Sequence, residues 1–187
     1  AIDLGFFNIN NNNNFIFFDK LENKEFKLLY LLGSDNLDVK KNDEFIIYQG
    51  SHGDKNASIA DIILPSPTFT EQNGLFENLE GRIQECRKAS YPANEALEDW
   101  KIFNLINYSL SNSDLFSDFS SVRKLALQEI PNFSEIDLLP IKKNQVNTKT
   151  LLESSSEKIN IKNIDYYYTN SIARASKTMS DCRNILI

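Results

Sequence analysis

The single histidine of the chain, His52, lies in the run Tyr48-Gln-Gly-Ser-His-Gly-Asp54, one residue after a hydroxyl and two before a carboxylate. An imidazole near a carboxylate can act as a general acid-base pair, and imidazole is also a common metal ligand. The apolar run just before it, Phe45 to Tyr48, reads as a buried strand, and ligand or catalytic groups gather where the strands of α/β sheets end. One histidine argues against a metal centre, however, and His52 and Asp54 around a glycine more often make a hydrogen-bonded turn. Ser51 has no Gly-x-Ser-x-Gly context and no identifiable oxyanion donor. Asp61, Glu71, Glu77 and Glu80 could supply paired carboxylates, but their spacing fixes no mutual geometry, so solvated or turn-forming acids are the default.

Other chemistries are excluded more firmly. Cys86 and Cys182 are the only cysteines, too few for a four-thiolate zinc or iron-sulfur site within this chain or for a disulfide-rich scaffold. Six glycines, spread singly, form neither a dinucleotide fingerprint nor a phosphate loop. Tyr166, Tyr167 and Tyr168 lack the basic groove that a base-stacking platform needs and read as core or interface aromatics. With 20 Lys+Arg against 26 Asp+Glu, a net charge of -6 argues against nucleic-acid binding. Apolar runs such as Leu28 to Leu32 fall far short of the roughly 20 residues that span a bilayer, so no direct membrane insertion is expected.

The elements that must position these residues follow from periodicity. Residues 1-25 are an asparagine-rich N-terminal segment: Asn10 to Asn14 reads as an exposed loop, followed by a β-compatible run at Phe15 to Phe18. Phe26 to Leu32, Phe45 to Tyr48 and Ala60 to Pro65 suit short strands of a sheet covered on both faces. Asp35 to Asp43 leaves room only for a loop or short helical turn. Leu75 to Leu79 and Arg82 to Cys86 flank Glu80-Gly81, a spacing that fits a short hairpin or a sharp bend needing glycine's freedom at positive φ. A helix is predicted after Pro92, capped by Asn94, with Leu97, Trp100, Phe103 and Ile106 as its apolar stripe. A second is predicted from Phe119 to Ile130, stopped by Pro131. Residues 141-165 read as a polar surface excursion, with 142-150 and 154-156 aperiodic. Residues 166-187 form a helical tail, a single helix from about Ser171 with Asn170 or Ser171 as its cap and Cys182 a packed thiol.

Several of these stretches resemble a known superfamily. Ala60-Asp-Ile-Ile-Leu-Pro65, then Thr70-Glu71, then Asn78-Leu-Glu80-Gly81-Arg82 is similar to the signature of the molybdopterin oxidoreductases. Within it, Tyr48 to Asp54, Glu98-Asp-Trp100-Lys-Ile102 and Thr169 to Met179 resemble one branch, the large iron-sulfur subunit of mitochondrial respiratory complex I. The resemblance implies an α/β fold over residues 26-140, the C-terminal portion of a molybdopterin-oxidoreductase-like domain with short buried strands followed by helices, completed by another polypeptide. In that family the cysteine-rich iron-sulfur region precedes this domain, and this sequence has no such region; with the absence of an initiator Met and the A/T-rich-codon composition, the expectation is a split-gene fragment.

What the resemblance implies for function is a structural, non-catalytic chain of the peripheral arm of NADH:ubiquinone oxidoreductase, on the matrix side of the mitochondrial inner membrane. Its partners would be other complex I subunits, above all the polypeptide carrying the iron-sulfur clusters, with no cofactor on this chain. The family motif residues His52, Asp54, Asp61, Pro65, Glu71, Gly74, Asn78, Glu80, Gly81, Arg82 and Trp100 would then be structural, with Gly74 and Gly81 permitting turns and Asn78, Glu80 and Arg82 capping and pairing across a bend. The alternatives are a fragment of a molybdenum- or tungsten-dependent oxidoreductase, which would share a cofactor with its partner, and a free-standing assembly or interaction module.

Overall fold

Leu28–Leu32 (β1), Phe45–Gly50 (β2) and Ile62–Pro65 (β3) are short apolar runs ended by glycine or proline, and in the computed structural model they form a parallel sheet in the order β1-β2-β3. The structure describes residues 19–34, 37, 39–53, 55–78, 80–139 and 165–186. Parallel strands need a crossover of about a dozen residues. Residues 33–44 supply the first without a helix among those described, and the five-residue helix Lys55–Ile59 (α1) lies in the second.

One face of the sheet carries the core. Leu29 and Ile46, then Leu31 and Tyr48, are in register across β1 and β2 and are buried with Val39. Leu21, Leu37, Ala57, Ile59 and Ala60 pack against them, so the crossovers and the segment before β1 close this side. The expected cover on the second face is only partial. Tyr30 stacks on Phe103 with ring centroids 5.8 Å apart, yet Leu28, Leu32 and Phe45 stay 55%, 50% and 44% exposed because the helix bearing Phe103 covers only part of that face.

After β3 the chain makes an antiparallel hairpin, Gly74–Glu77 (β4) with Ile83–Cys86 (β5). Helix Asp99–Ser111 (α2) follows, but its N-cap is Glu98 rather than Asn94. Asn94 has a φ of 50°, so it serves a turn in which Ala96 N–H bonds Ala93 C=O, a use for which asparagine is well suited. The buried position of α2 is Ile102, and Leu97 lies outside the helix and is 39% exposed.

Helix Phe119–Glu129 (α3) matches its predicted span closely. Asp118 and Ser121 cap each other's backbone N–H groups, and Pro131 begins a 3-10 turn that runs to Ser134. Ile83, the first residue of β5, is 1% exposed and its carbonyl takes the Asp137 N–H at 2.7 Å, which ties the return segment to the hairpin.

The chain divides into two compact units, residues 1–139 and 140–187. In the second, Asp165 caps the 3-10 turn Tyr166–Tyr168 and Asn170 caps helix Ser171–Ala175 (α4). The tail is not one helix. Ser176 has extended backbone and its Oγ accepts the Met179 N–H, so a serine competing for backbone bonds ends α4 and starts Lys177–Leu186 (α5). Arg183 Nε bonds Asp165 Oδ2 at 2.6 Å and its guanidinium lies over the Tyr168 ring. Cys182 is exposed, not packed, because none of the helix residues 177–185 is buried. Asn10 to Asn14, Phe15 to Phe18 and the polar stretches at 142–150 and 154–156 lie outside the described residues.

Candidate functional site

A parallel sheet offers ligands the crevice beyond the carboxyl ends of its strands. Here β2 runs out through Ser51 and His52, and β3 through Pro65 and Ser66, around a cavity of about 660 Å³ that Thr68, Glu71 and residues 93–96 complete. Tyr48 anchors the His52 backbone at its rim: the buried phenol donates to the His52 carbonyl at 2.7 Å. This requires a close pass over Gly50, where an added Cβ would sit 2.4 Å from Tyr48 Oη. The glycine of Tyr-Gln-Gly is therefore set by a tyrosine two residues earlier.

The candidate acid-base groups do not converge. His52 Nδ1 lies 3.0 Å from Ser51 Oγ, its own neighbour in sequence, an arrangement with no third orienting group among the described residues. Asp54, its expected partner, is outside the described residues. Glu71 is engaged in a turn, where Oε2 accepts the Thr68 N–H at 3.1 Å and the Glu71 N–H bonds Thr68 C=O at 3.0 Å. Asp61 Oδ2 accepts the Ile46 N–H, and its other oxygen pairs with Lys41. The hydrogen bonds from Lys41 and Ile46 and the Lys41 charge hold the Asp61 carboxyl below the ordinary range despite some desolvation. Among the described residues no group of three or more His, Cys, Asp or Glu is placed to hold a metal ion.

The remaining motif residues build connections. Asn78 Oδ1 accepts the backbone N–H groups of both Glu80 and Arg82 at 3.0 Å, and Gly81 has a φ of 85°, as the bend between β4 and β5 demands. It is the backbone of Glu80 and Arg82 that Asn78 holds. Gly74 makes no turn: it opens β4, where a Cβ would approach the Phe76 ring at 3.1 Å. Pro65 offers its carbonyl to the Leu97 N–H at 3.2 Å. Trp100 Nε1 donates to Glu98 Oε2 at 2.8 Å, while Lys88 reaches Glu98 Oε1 at 3.2 Å. Burial pushes the Glu98 carboxyl up, but the Trp100 and Lys88 hydrogen bonds and the charges of Lys101 and Lys88 outweigh it and hold it low.

The strongest arrangement is one that residue type does not single out. Tyr30 donates its hydroxyl to Gln49 Oε1, and Gln49 Nε2 donates to Asp99 Oδ1 at 2.7 Å, so one polar chain runs from β1 through β2 to α2. Gln49 is wholly buried, and burial together with the Asp99 charge raises the Tyr30 phenol above its usual range. The signal available in sequence is a glutamine inside an otherwise apolar strand.

A matching family model, Molybdopterin oxidoreductase, covers residues 3–107, and a second, for the C-terminal region of an NADH-ubiquinone oxidoreductase subunit, covers residues 131–182. The chain belongs to the molybdopterin oxidoreductase family. Its relatives there include the NADH-ubiquinone oxidoreductase 75 kDa subunit of Reclinomonas americana, 32% identical over 89% of this chain and 25% of the relative. An NADH-quinone oxidoreductase subunit of Rickettsia bellii is 41% identical over 87% of this chain and 24% of the relative. The mitochondrial 78 kDa subunit of Candida albicans NADH-ubiquinone oxidoreductase is 39% identical over 83% and 23%. The chain thus spans about a quarter of the length of the curated relatives it matches.

A molybdopterin cofactor carries phosphate, which needs cations or free N–H groups around it. Among the described residues, the lining of the cavity at the sheet's carboxyl end includes Glu71 and Glu95 and neither lysine nor arginine. No helix among the described residues is long and apolar enough to cross a membrane.

Proposed function

We infer that this chain is a structural component of the peripheral arm of NADH:ubiquinone oxidoreductase, respiratory complex I, on the matrix side of the mitochondrial inner membrane. It supplies part of the molybdopterin-oxidoreductase-like region of the large iron-sulfur subunit and supports the polypeptide that carries the iron-sulfur electron path. Catalytic residues and cofactors belong to that partner rather than to this chain. The observation that carries the reading is the similarity to complex I subunits over 87% and 89% of the chain. The engagement of Asp61, Glu71 and Glu98 in backbone and bridging bonds supports the structural part of it.

The test is separation of the source membranes on native gels after mild detergent, with mass spectrometry across the gel. The chain should co-migrate with NADH dehydrogenase activity, in equal amount with a cysteine-rich polypeptide of the same family. Migration apart from that activity would overturn the assignment. Molybdenum or tungsten in the band that contains the chain would overturn the cofactor part.

A further inference from the structure

Among the described residues the three-stranded sheet has two open edges, the outer sides of β1 and β3. The Gly33 N–H bonds Gln49 C=O, and the Asp61 N–H bonds Ile46 C=O. Alternation from these anchors turns the backbone groups of Leu28, Tyr30 and Leu32 in β1, and of Ile62 and Leu64 in β3, away from β2.

The two edges differ in character. β3 has four residues, follows an Asp61 paired with Lys41, and ends in Pro65, whose carbonyl already takes the Leu97 N–H. Short length, flanking charge and proline are the means by which natural sheets close an edge. β1 is Leu28-Leu-Tyr-Leu-Leu32, five residues without charge, proline or glycine, with both terminal leucines half exposed. An unbroken apolar run is the pattern of a parallel strand covered on both faces, and on an open edge such a run invites non-specific pairing.

We propose that the outer edge of β1 is a docking edge, and that its occupant is a parallel apolar strand from the polypeptide that supplies the rest of the molybdopterin-oxidoreductase-like sheet. The occupant follows from the relatives, of whose length this chain accounts for about a quarter, so most of the fold they share lies in other sequence. This rests on the complex I reading, because that reading puts such a polypeptide beside the chain.

The experiment is hydrogen exchange with mass spectrometry on the purified respiratory assembly and on the separately expressed chain, paired with incorporation of two variants. Leu32→Pro removes an outward N–H of β1 and leaves the bonds to β2 intact, while Leu64→Pro does the same for β3. In the assembly the amides of Leu28, Tyr30 and Leu32 should exchange at least about a hundredfold more slowly than in the separate chain. Leu32→Pro should lower co-migration with NADH dehydrogenase activity by about tenfold or more, with Leu64→Pro incorporated like the unaltered chain. Unprotected β1 amides in an assembly that contains the chain, or new protection at Ile62 and Leu64 instead, would overturn the docking edge and leave the complex I reading standing. Protection of β1 in the separate chain would also overturn it, assigning the edge to residues 1–18 if the chain is monomeric and to a second copy if it is dimeric. Absence of the unaltered chain from the assembly would overturn the functional reading itself. If Leu32→Pro also exposes the Ile46 amide, which faces β3, the variant has lost the sheet and the exchange comparison alone decides.

Discussion

The carboxylate of Asp61 accepts the backbone N–H of Ile46 at 2.8 Å, while the N–H of Asp61 donates to the carbonyl of the same Ile46, also at 2.8 Å. A residue just ahead of β3 thereby satisfies both backbone groups of a wholly buried residue in β2. This explains why an aspartate opens the run Asp61-Ile-Ile-Leu-Pro65. It is a structural use of a residue whose type alone suggests acid-base chemistry.

Asp61→Ala should speed exchange of the Ile46 amide by about tenfold, the effect of losing one net hydrogen bond to a buried donor. Asp61→Asn keeps an acceptor and should leave that amide close to its original rate. Because the folded carboxyl titrates below its unfolded value, its contribution is complete above the unfolded value, near pH 4, and is lost as pH falls through the folded one. Exchange of Ile46 measured against pH should therefore show no break between pH 5 and 8, apart from the intrinsic pH dependence of exchange, and a loss of protection in acid.

Glu98 joins three parts of the first unit. It is 7% exposed, precedes α2, and binds both Lys88, beyond β5, and the Trp100 indole. Glu98→Ala should cost about 2 kcal/mol, since it leaves the Trp100 indole N–H without its acceptor. Lys88→Ala should cost less than about 1 kcal/mol because Lys88 is a third exposed. Denaturant midpoints followed by Trp100 fluorescence compare the two directly.

Gly50 is confined by Tyr48. Gly50→Ala should destabilise by about 1–3 kcal/mol, the usual cost of overpacking a filled interior. Adding Tyr48→Phe should recover only part of this, because the ring carbon Cζ would still lie 2.7 Å from the new methyl group. The thermal midpoints of the single and double variants test it.

Glu77 behaves oppositely to Asp61. Its Oε2 is buried without a hydrogen-bond partner among the described residues, and desolvation raises its carboxyl above the usual range. A raised folded value means that its favourable contribution is present below the unfolded value, near pH 4.5, and is lost as pH rises through the folded one. Glu77→Gln should therefore raise the unfolding midpoint at pH 7 by a few degrees and change it less at pH 4. A midpoint difference independent of pH would contradict the assignment.

The elements are legible where the signal is local. Apolar runs at 26–32, 45–48 and 60–65 form strands with nearly those bounds, and glycine at 81 marks the hairpin bend. Periodicity misreads the last helix because Ile172, Ala175, Met179 and Leu186 keep one repeat across Ser176, while the side-chain bond of Ser176 that breaks the helix leaves no trace in that repeat. It misjudges Cys182 for a related reason: helical spacing shows which residues share a stripe but not whether anything lies against it.

The sequence by itself determined the family, the strand positions, the span of α3 and the lack of a self-contained four-thiolate site, because each depends on residue type and short spacing. Only the tertiary structure decided which polar residues act together. Tyr30, Gln49 and Asp99 meet across separations of 19 and 50 residues, and Glu98 meets Lys88, ten residues earlier, across the irregular segment between β5 and α2. Spacing along a chain carries no information on such pairs, since the crossovers and the hairpin set their distances. The same holds for the open edge of β1: its apolar composition is written in the sequence, but its lack of a neighbour among the described residues appears only when the strands are ordered in space.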